Sequence, residues 1–205
     1  MKIECMTLGP IQVNCYIVRG SDDSKAYVID PGDNADRVYE RLKELKAECV
    51  AILLTHGHFD HIGGVNELKK MTGCPVYAGR DEERLLLDSD LNVSKRVRHP
   101  VIVVADRLLD DGEEVEEYGM KFKTLSTPGH TDGSVCFYFE DENVLFCGDT
   151  LFKMGMGRTD LPTGSEEKLF YSLTHKLMKM PGETKCYPGH GEATDIASES
   201  RYYRN

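Results

Sequence analysis

Four residues that bind metals or move protons fall within six positions: His56, His58, Asp60 and His61, inside "LLTHGHFDHIGG" from Leu53 to Gly64. Side chains repeat every second residue in extended chain. His56 and His58 therefore point the same way as they leave a strand, and Gly57 leaves room for close approach. Asp60 and His61 follow where the chain turns into a helix, and they aim at a neighbouring point. Gly63 and Gly64 allow close backbone packing beside them.

Three further strand ends carry similar punctuation. "LSTPGHTDGS" puts His130 in a Pro-Gly turn, "LFCGDTLF" puts Asp149 after a strand, and "CYPGHGE" puts His190 after another. Loops held by rigid strand ends are where functional side chains gather. Five imidazoles and two carboxylates make seven nitrogen and oxygen ligands. That set suits two divalent ions, with zinc expected first and iron or manganese as alternatives. A purely structural metal site closes with four ligands, so seven argue against a non-enzymatic metal-binding module. His99, beside Pro100 in a polar loop, and His175, off the apolar face of its helix, read as ordinary residues. Asp30 reads as a turn residue before Pro31. Asp132 reads either as an orienting group for the His130 loop or as a plain Asx turn.

The elements that must hold these residues come in runs. "KIECMTL", "IQVNCYIV" and "KAYVID" form a β-meander. Asp33 or Asn34 caps a helix to about Lys46, with Val38, Leu42 and Leu45 on one face. "CVAILLT" is a buried strand entering the histidine motif, and Ile62 to Met71 is a helix ended by Gly73 and Pro75. "CPVYAG" is a short strand, "RDEERLLLD" a short helix, and the stretch to His99 a loop. "VIVVADRLL", "GEEVEEY" and "MKFKTLST" are strands on a hairpin spacing. "SVCFYFE" and "VLFCG" form another hairpin. Ser165 caps a helix to about Met180, with Leu169, Phe170, Leu173 and Leu177 inward. "KCYP" is the final strand, and the tail after Glu192 is polar. Simple βαβ alternation does not describe this order. Two mixed sheets packed together, with helices on the outer faces, do. Residues 1–205 are expected to form one domain.

The net charge of −10 argues against a nucleic-acid partner, which calls for a basic stripe. Two bound divalent ions would leave about −6. The basic cluster Lys95, Arg96 and Arg98 reads as a solvated loop. No apolar run reaches membrane-spanning length. The N-terminal stretch lacks the apolar core of a signal peptide. Seven scattered cysteines suit reduced thiols in the cytoplasm, with Cys5, Cys15, Cys49, Cys136 and Cys147 as small core residues. Oligomeric state is not legible.

"THGHFDH", followed by His130, Asp149 and His190, resembles the metallo-β-lactamase superfamily. The resemblance implies an α/β (α+β) fold, a four-layer αββα sandwich with a metal site at the sheet edges. It implies one ion on His56, His58 and His130, a second on Asp60, His61 and His190, and Asp149 bridging both. β-Lactamases of the common zinc class have cysteine where Asp149 stands, which argues against antibiotic hydrolysis. Lactone-cleaving relatives have a tyrosine where Phe152 stands. "LGPIQVNCYIV", "GDTLF", "GMGRTD" and "YPGHGEAT" look most like the glyoxalase II (hydroxyacylglutathione hydrolase) group in its short, single-domain form, without a separate C-terminal substrate-binding domain. A lysine that contacts glutathione in that group corresponds to Arg158, which is expected to anchor a substrate carboxylate, the alternative being an exposed arginine or a partner for Asp160.

The expected reaction is hydrolysis of a small anionic thioester. Metal coordination brings the pKa of water towards ~7, so a bridging hydroxide exists at neutral pH. Asp60 and Asp149 are the carboxylates at the reacting centre. Two ions, two carboxylates and one hydroxide sum to +1, so the centre stays electrophilic. No G-x-S-x-G elbow is present. The alternative is a persulfide dioxygenase with one iron on His56, His130 and Asp149, which "GRTD" also resembles.

Overall fold

The computed structural model describes residues 1–97 and 99–203. Arg98 of the basic cluster lies outside them, and Lys95 pairs on the surface with Asp90 at 2.8 Å. The first sheet holds β1 (Lys2–Leu8), β2 (Val13–Arg19), β3 (Lys25–Ile29), β4 (Glu48–Leu54), β5 (Val76–Gly79) and β6 (Arg107–Leu109), in that order. Its first three strands are the antiparallel meander, and β3 to β6 run parallel. The second sheet is formed by β7 (Glu114–Glu117), β8 (Met120–Ser126), β9 (Val135–Phe139), β10 (Val144–Gly148), β13 (Lys185–Pro188) and β14 (Thr194–Asp195). Its order is β14-β13-β10-β9-β8-β7. A small hairpin of β11 (Leu151–Phe152) and β12 (Gly155–Met156) lies apart.

Three apolar layers give the αββα sandwich. Tyr27, Ile29 and Leu53 of the first sheet meet Phe122, Phe137, Phe139 and Phe146 of the second. On the outer face of the first sheet, Ile52 and Leu54 pack under α1 (Ala35–Glu44) and α3 (Val65–Thr72) through Val38, Leu42 and Leu68. On the other side, Leu145 and Cys147 pack under α6 (Glu166–His175) and α7 (Ile196–Tyr203) through Leu169, Leu173 and Ile196. Burying such apolar area is the main favourable term in folding. Among the described residues no helix is long and apolar enough to cross a membrane.

The structure corrects several sequence expectations. The helix expected from Ile62 is two pieces, α2 (Phe59–Ile62) and α3, parted at Gly63 and Gly64. A Cβ on Gly63 would lie 2.4 Å from the Gly32 carbonyl oxygen, so the backbones touch where the chain leaves the histidine motif. The short helix expected in "RDEERLLLD" is α4 (Glu83–Leu86), and the expected loop before His99 contains α5 (Ser94–Val97). "VIVVADRLL" yields a strand only at Arg107–Leu109, paired in parallel with β5 rather than in a hairpin. Asn34 sits at the N-cap of α1 but makes no side-chain capping bond. Ser165 does cap α6, accepting from the Lys168 amide at 3.3 Å. Phe170, expected inward, is exposed. So is Cys5, whereas Cys15, Cys49, Cys136 and Cys147 are buried. The polar tail forms β14 and α7.

Candidate metal centre

All seven expected ligands converge at one end of the sandwich. β4 runs into His56, and His58 stands at the N-cap of α2, which carries Asp60 and His61. His130 lies in the turn between β8 and β9, Asp149 follows β10, and His190 follows β13. Two backbone bonds clip these ends across the sheets: the Val135 amide donates to the Thr55 carbonyl at 2.8 Å, and the Asn14 amide to the Gly189 carbonyl at 2.7 Å.

Three ligand groups result: His56, His58 and His130; Asp60, His61 and His190; and His56, His61 and Asp149. Each has its ligand atoms within 4.8 Å of one another. Asp149 lies between the first two. Its Oδ1 is 3.4 Å from His61 Nε2, and its Oδ2 is 3.6 Å from His130 Nε2 and 3.7 Å from His190 Nε2. Asp60 Oδ2 is 3.2 Å from His190 Nε2. His58 Nδ1 and His130 Nε2 approach to 2.8 Å. His56 Nε2, His61 Nε2 and Asp149 Oδ1 are buried with no hydrogen-bond partner. An unsatisfied buried polar atom costs about 1–3 kcal/mol. Several of them in one cluster of imidazoles and carboxylates fit divalent ions well.

The outer nitrogens of His61 and His130 are spoken for. His61 Nδ1 lies 2.9 Å from Asp30 Oδ2, and His130 Nδ1 donates to the Arg158 carbonyl at 2.7 Å. Such bonds fix the tautomer and leave the opposite nitrogen as the ligand. Asp30 is therefore more than the turn residue expected. It is buried, adopts φ 49°, and also accepts from the Thr55 amide and hydroxyl at 2.8 and 2.6 Å. The available signal was its place at the end of β3, the same punctuation that marks Asp149.

Without ions, the two histidine groups hold protons differently. Burial, reinforced by neighbouring imidazoles, lowers His56 far below the usual value and His58 to about 3. Burial also lowers His130, although Asp149 opposes it. Burial works against the charge on His61, but Asp149 and Asp30 outweigh it and raise the pKa. At His190 the bond to Asp60 and the charge on Asp149 likewise outweigh burial. The carboxyls of Asp60 and Asp149 resist burial and stay low, held chiefly by His190 at Asp60 and by His61 at Asp149.

A groove of about 540 Å³ opens beside Asp60, lined by Leu8, Pro10, Ile11, Phe59, Val97 and His99. His99, read from sequence as an ordinary loop residue, lines the same groove as Asp60. His175 stacks on Tyr171 on the distant surface of α6, as its helix position implied. The Phe152 ring meets His190 edge-on at 6.3 Å and brings no hydroxyl. Arg158, expected as a substrate anchor or as a partner for Asp160, forms a forked pair with Asp160 at 2.7 Å on each arm, and both side chains are exposed. Asp132 pairs with Lys168 at 2.8 Å and ties the His130 loop to α6.

Comparison with known proteins agrees with this geometry. The metallo-beta-lactamase superfamily pattern matches residues 8–190. The hydroxyacylglutathione hydrolase GloC of Haemophilus influenzae is 35% identical over 204 residues, covering 98% of this chain and 96% of that protein. Among solved structures, the BLEG-1 B3 metallo-beta-lactamase superposes with a TM-score of 0.93 at 37% identity, covering 100% of both chains. TTHA1623, solved in a di-iron-bound form, gives 0.86 at 36% identity and 97% coverage of each chain. With its two mixed sheets, flanking helices and histidine-aspartate cluster, the chain belongs to the metallo-β-lactamase superfamily.

Proposed function

We propose that the protein is a metal-dependent hydrolase of small anionic thioesters, close in chemistry to hydroxyacylglutathione hydrolases. One observation carries this reading: Asp149 lies between two ligand groups beside an open groove. His56, His58 and His130 would hold one ion, and Asp60, His61 and His190 the other, with Asp149 shared. Zinc fits the donor set, and iron is supported by the di-iron form of a similar protein. Bound ions would supply hydroxide near neutral pH and polarise the substrate carbonyl. Asp60 borders the groove and is held ionised, so it can accept a hydrogen bond and orient an attacking water. Asp149, also ionised, offsets the positive charge of the centre. No cysteine lies among the groove residues, so no thiol nucleophile is called for there. The unpaired thiols elsewhere suit a reducing compartment such as the cytoplasm.

The test is a substrate panel on zinc- and iron-loaded protein: a hydroxyacylglutathione, a glutathione persulfide and a β-lactam. Turnover of the thioester should vanish on chelation and return with metal, and mass spectrometry should find no acyl-enzyme. Oxygen uptake with the persulfide, without thioester turnover, would establish the dioxygenase instead. Preferred turnover of the β-lactam would place the chain with the similar B3 enzyme.

A further inference from the structure

Glu82 lies outside the ligand set. It closes the 3-10 turn Arg80–Glu82 after β5 and is 1% exposed. Among the described residues no cation pairs with it. Its carboxylate is satisfied by three donors from two loops: Oε1 accepts from the Gly57 amide at 2.7 Å, and Oε2 accepts from the Thr131 hydroxyl at 2.9 Å and the Gly133 amide at 3.0 Å. Gly57 stands between His56 and His58, and Thr131 directly follows His130. The one carboxylate thus joins the two turns that deliver all three imidazoles of one ligand group. The contact is close. A Cβ on Gly133 would lie 2.1 Å from the Glu82 backbone nitrogen, so backbone meets backbone there. A buried carboxylate is unfavourable unless it is hydrogen-bonded throughout, and these bonds go to the two metal-binding turns.

We propose that Glu82 is a positioning residue for the tri-histidine half of the centre, setting the spacing between the His56–His58 turn and the His130 turn. The inference rests on reading the cluster as a two-metal centre. Glu82 touches no ligand. It acts through the backbone that carries them, and it tells the halves apart, because His61 and the His190 turn have supports of their own in Asp30 and Asn14. Such outer groups typically influence metal affinity 10–100-fold.

The experiment is zinc competition against a chromophoric chelator on the full chain, with visible spectra after cobalt replacement. The wild-type titration to two ions checks the metal-centre reading separately. Glu82→Gln keeps the shape but turns one acceptor into an N–H donor facing an N–H or O–H. It should weaken one of the two ions about 10–100-fold, leave the other nearly unchanged, and shift the cobalt bands of the histidine-rich site. Amide exchange in the metal-free protein should quicken at Gly57 or Gly133. Thr131→Val, which removes one of the three bonds, should act the same way more mildly, and it decides the matter if Glu82→Gln does not fold. Equal weakening of both ions would reduce Glu82 to a general structural role and overturn the proposal, as would unchanged binding with unchanged spectra.

Discussion

The imidazoles of His56, His58 and His130 and those of His61 and His190 lie in one cluster, yet they treat protons in opposite ways. The first three are pressed towards neutrality by burial, which two carboxylates do little to offset. The other two are drawn towards the charged form by Asp30, Asp60 and Asp149. A neutral imidazole is ready to bind a metal, whereas a charged one must first release its proton. The tri-histidine half is thus pre-set for an ion. The carboxylate-rich half would bind one in competition with acid, and it faces the groove through Asp60. Similar residue types serve both halves, and their surroundings make the difference.

The largest effect should come from removing the residue common to both halves. Asp149→Ala should lower metal content from about two ions per chain towards none under mild loading and reduce thioesterase activity by several orders of magnitude; retention of two ions by elemental analysis would break the proposed sharing. Next, His58→Ala and His190→Ala should each leave about one ion, lost from different halves, whereas His175→Ala should bind two and keep near-full activity. Asp30→Asn removes the charge behind His61 but keeps an amide tolerant of its positive φ. It should cost about 10–100-fold in affinity at the carboxylate-rich half, with a smaller shift in the cobalt spectrum of the other half, which Asp30 reaches through Thr55 beside His56. Lowering the pH should separate the halves further. Protons that fill the raised sites on His61 and His190 exclude the ion, so affinity there should begin to fall at higher pH than at the tri-histidine half, whose imidazoles burial holds below the usual value. A titration in which both ions leave at one pH would show that the halves are coupled. The smallest effect belongs to Arg158→Ala. Its pairing with Asp160 on the exposed surface implies a rise in KM for a glutathione thioester below about fivefold, with kcat less affected.

The strands β4, β10 and β13 were legible as short runs that lead into the motif residues, and each is followed within two positions by His56, Asp149 or His190. Elsewhere the signals fail for physical reasons. Ile102 and Val104 belong to an apolar run, yet both are exposed, because that segment buries Val103 and bonds its backbone to Leu86 and Asn66 rather than to a strand. The tail after Glu192 reads as polar, but α7 is anchored by Ile196 and by the buried Glu199, which accepts from Thr194 and from the Met154 amide. Hydropathy does not register a buried acid. Asp30 and Glu82 were missed for the same reason. Each is a carboxylate whose partners are supplied by distant turns, and local residue types do not announce such partners. For Arg158 the sequence offered both a substrate anchor and a partner for Asp160, and the structure shows the second, because two exposed opposite charges two positions apart in one loop meet readily.

The clip at Asn14 bears on the order in which the molecule assembles. This residue of the second strand reaches the Pro188 and Gly191 carbonyls at 3.1 and 2.9 Å, and Tyr16 reaches Pro188 at 2.6 Å, across more than 170 positions of sequence. Contacts of such separation close slowly, because the intervening chain must first be brought to order. During synthesis the N-terminal meander emerges early and waits for its partner, while His190 is the last of the seven ligands to arrive. A nascent chain that has displayed Asp149 but not yet Pro188 can gather the tri-histidine group but lacks the third member of the other. Completion of the second half therefore reports that β2 has met the turn after β13, and uptake of a second ion would be a natural marker of that meeting.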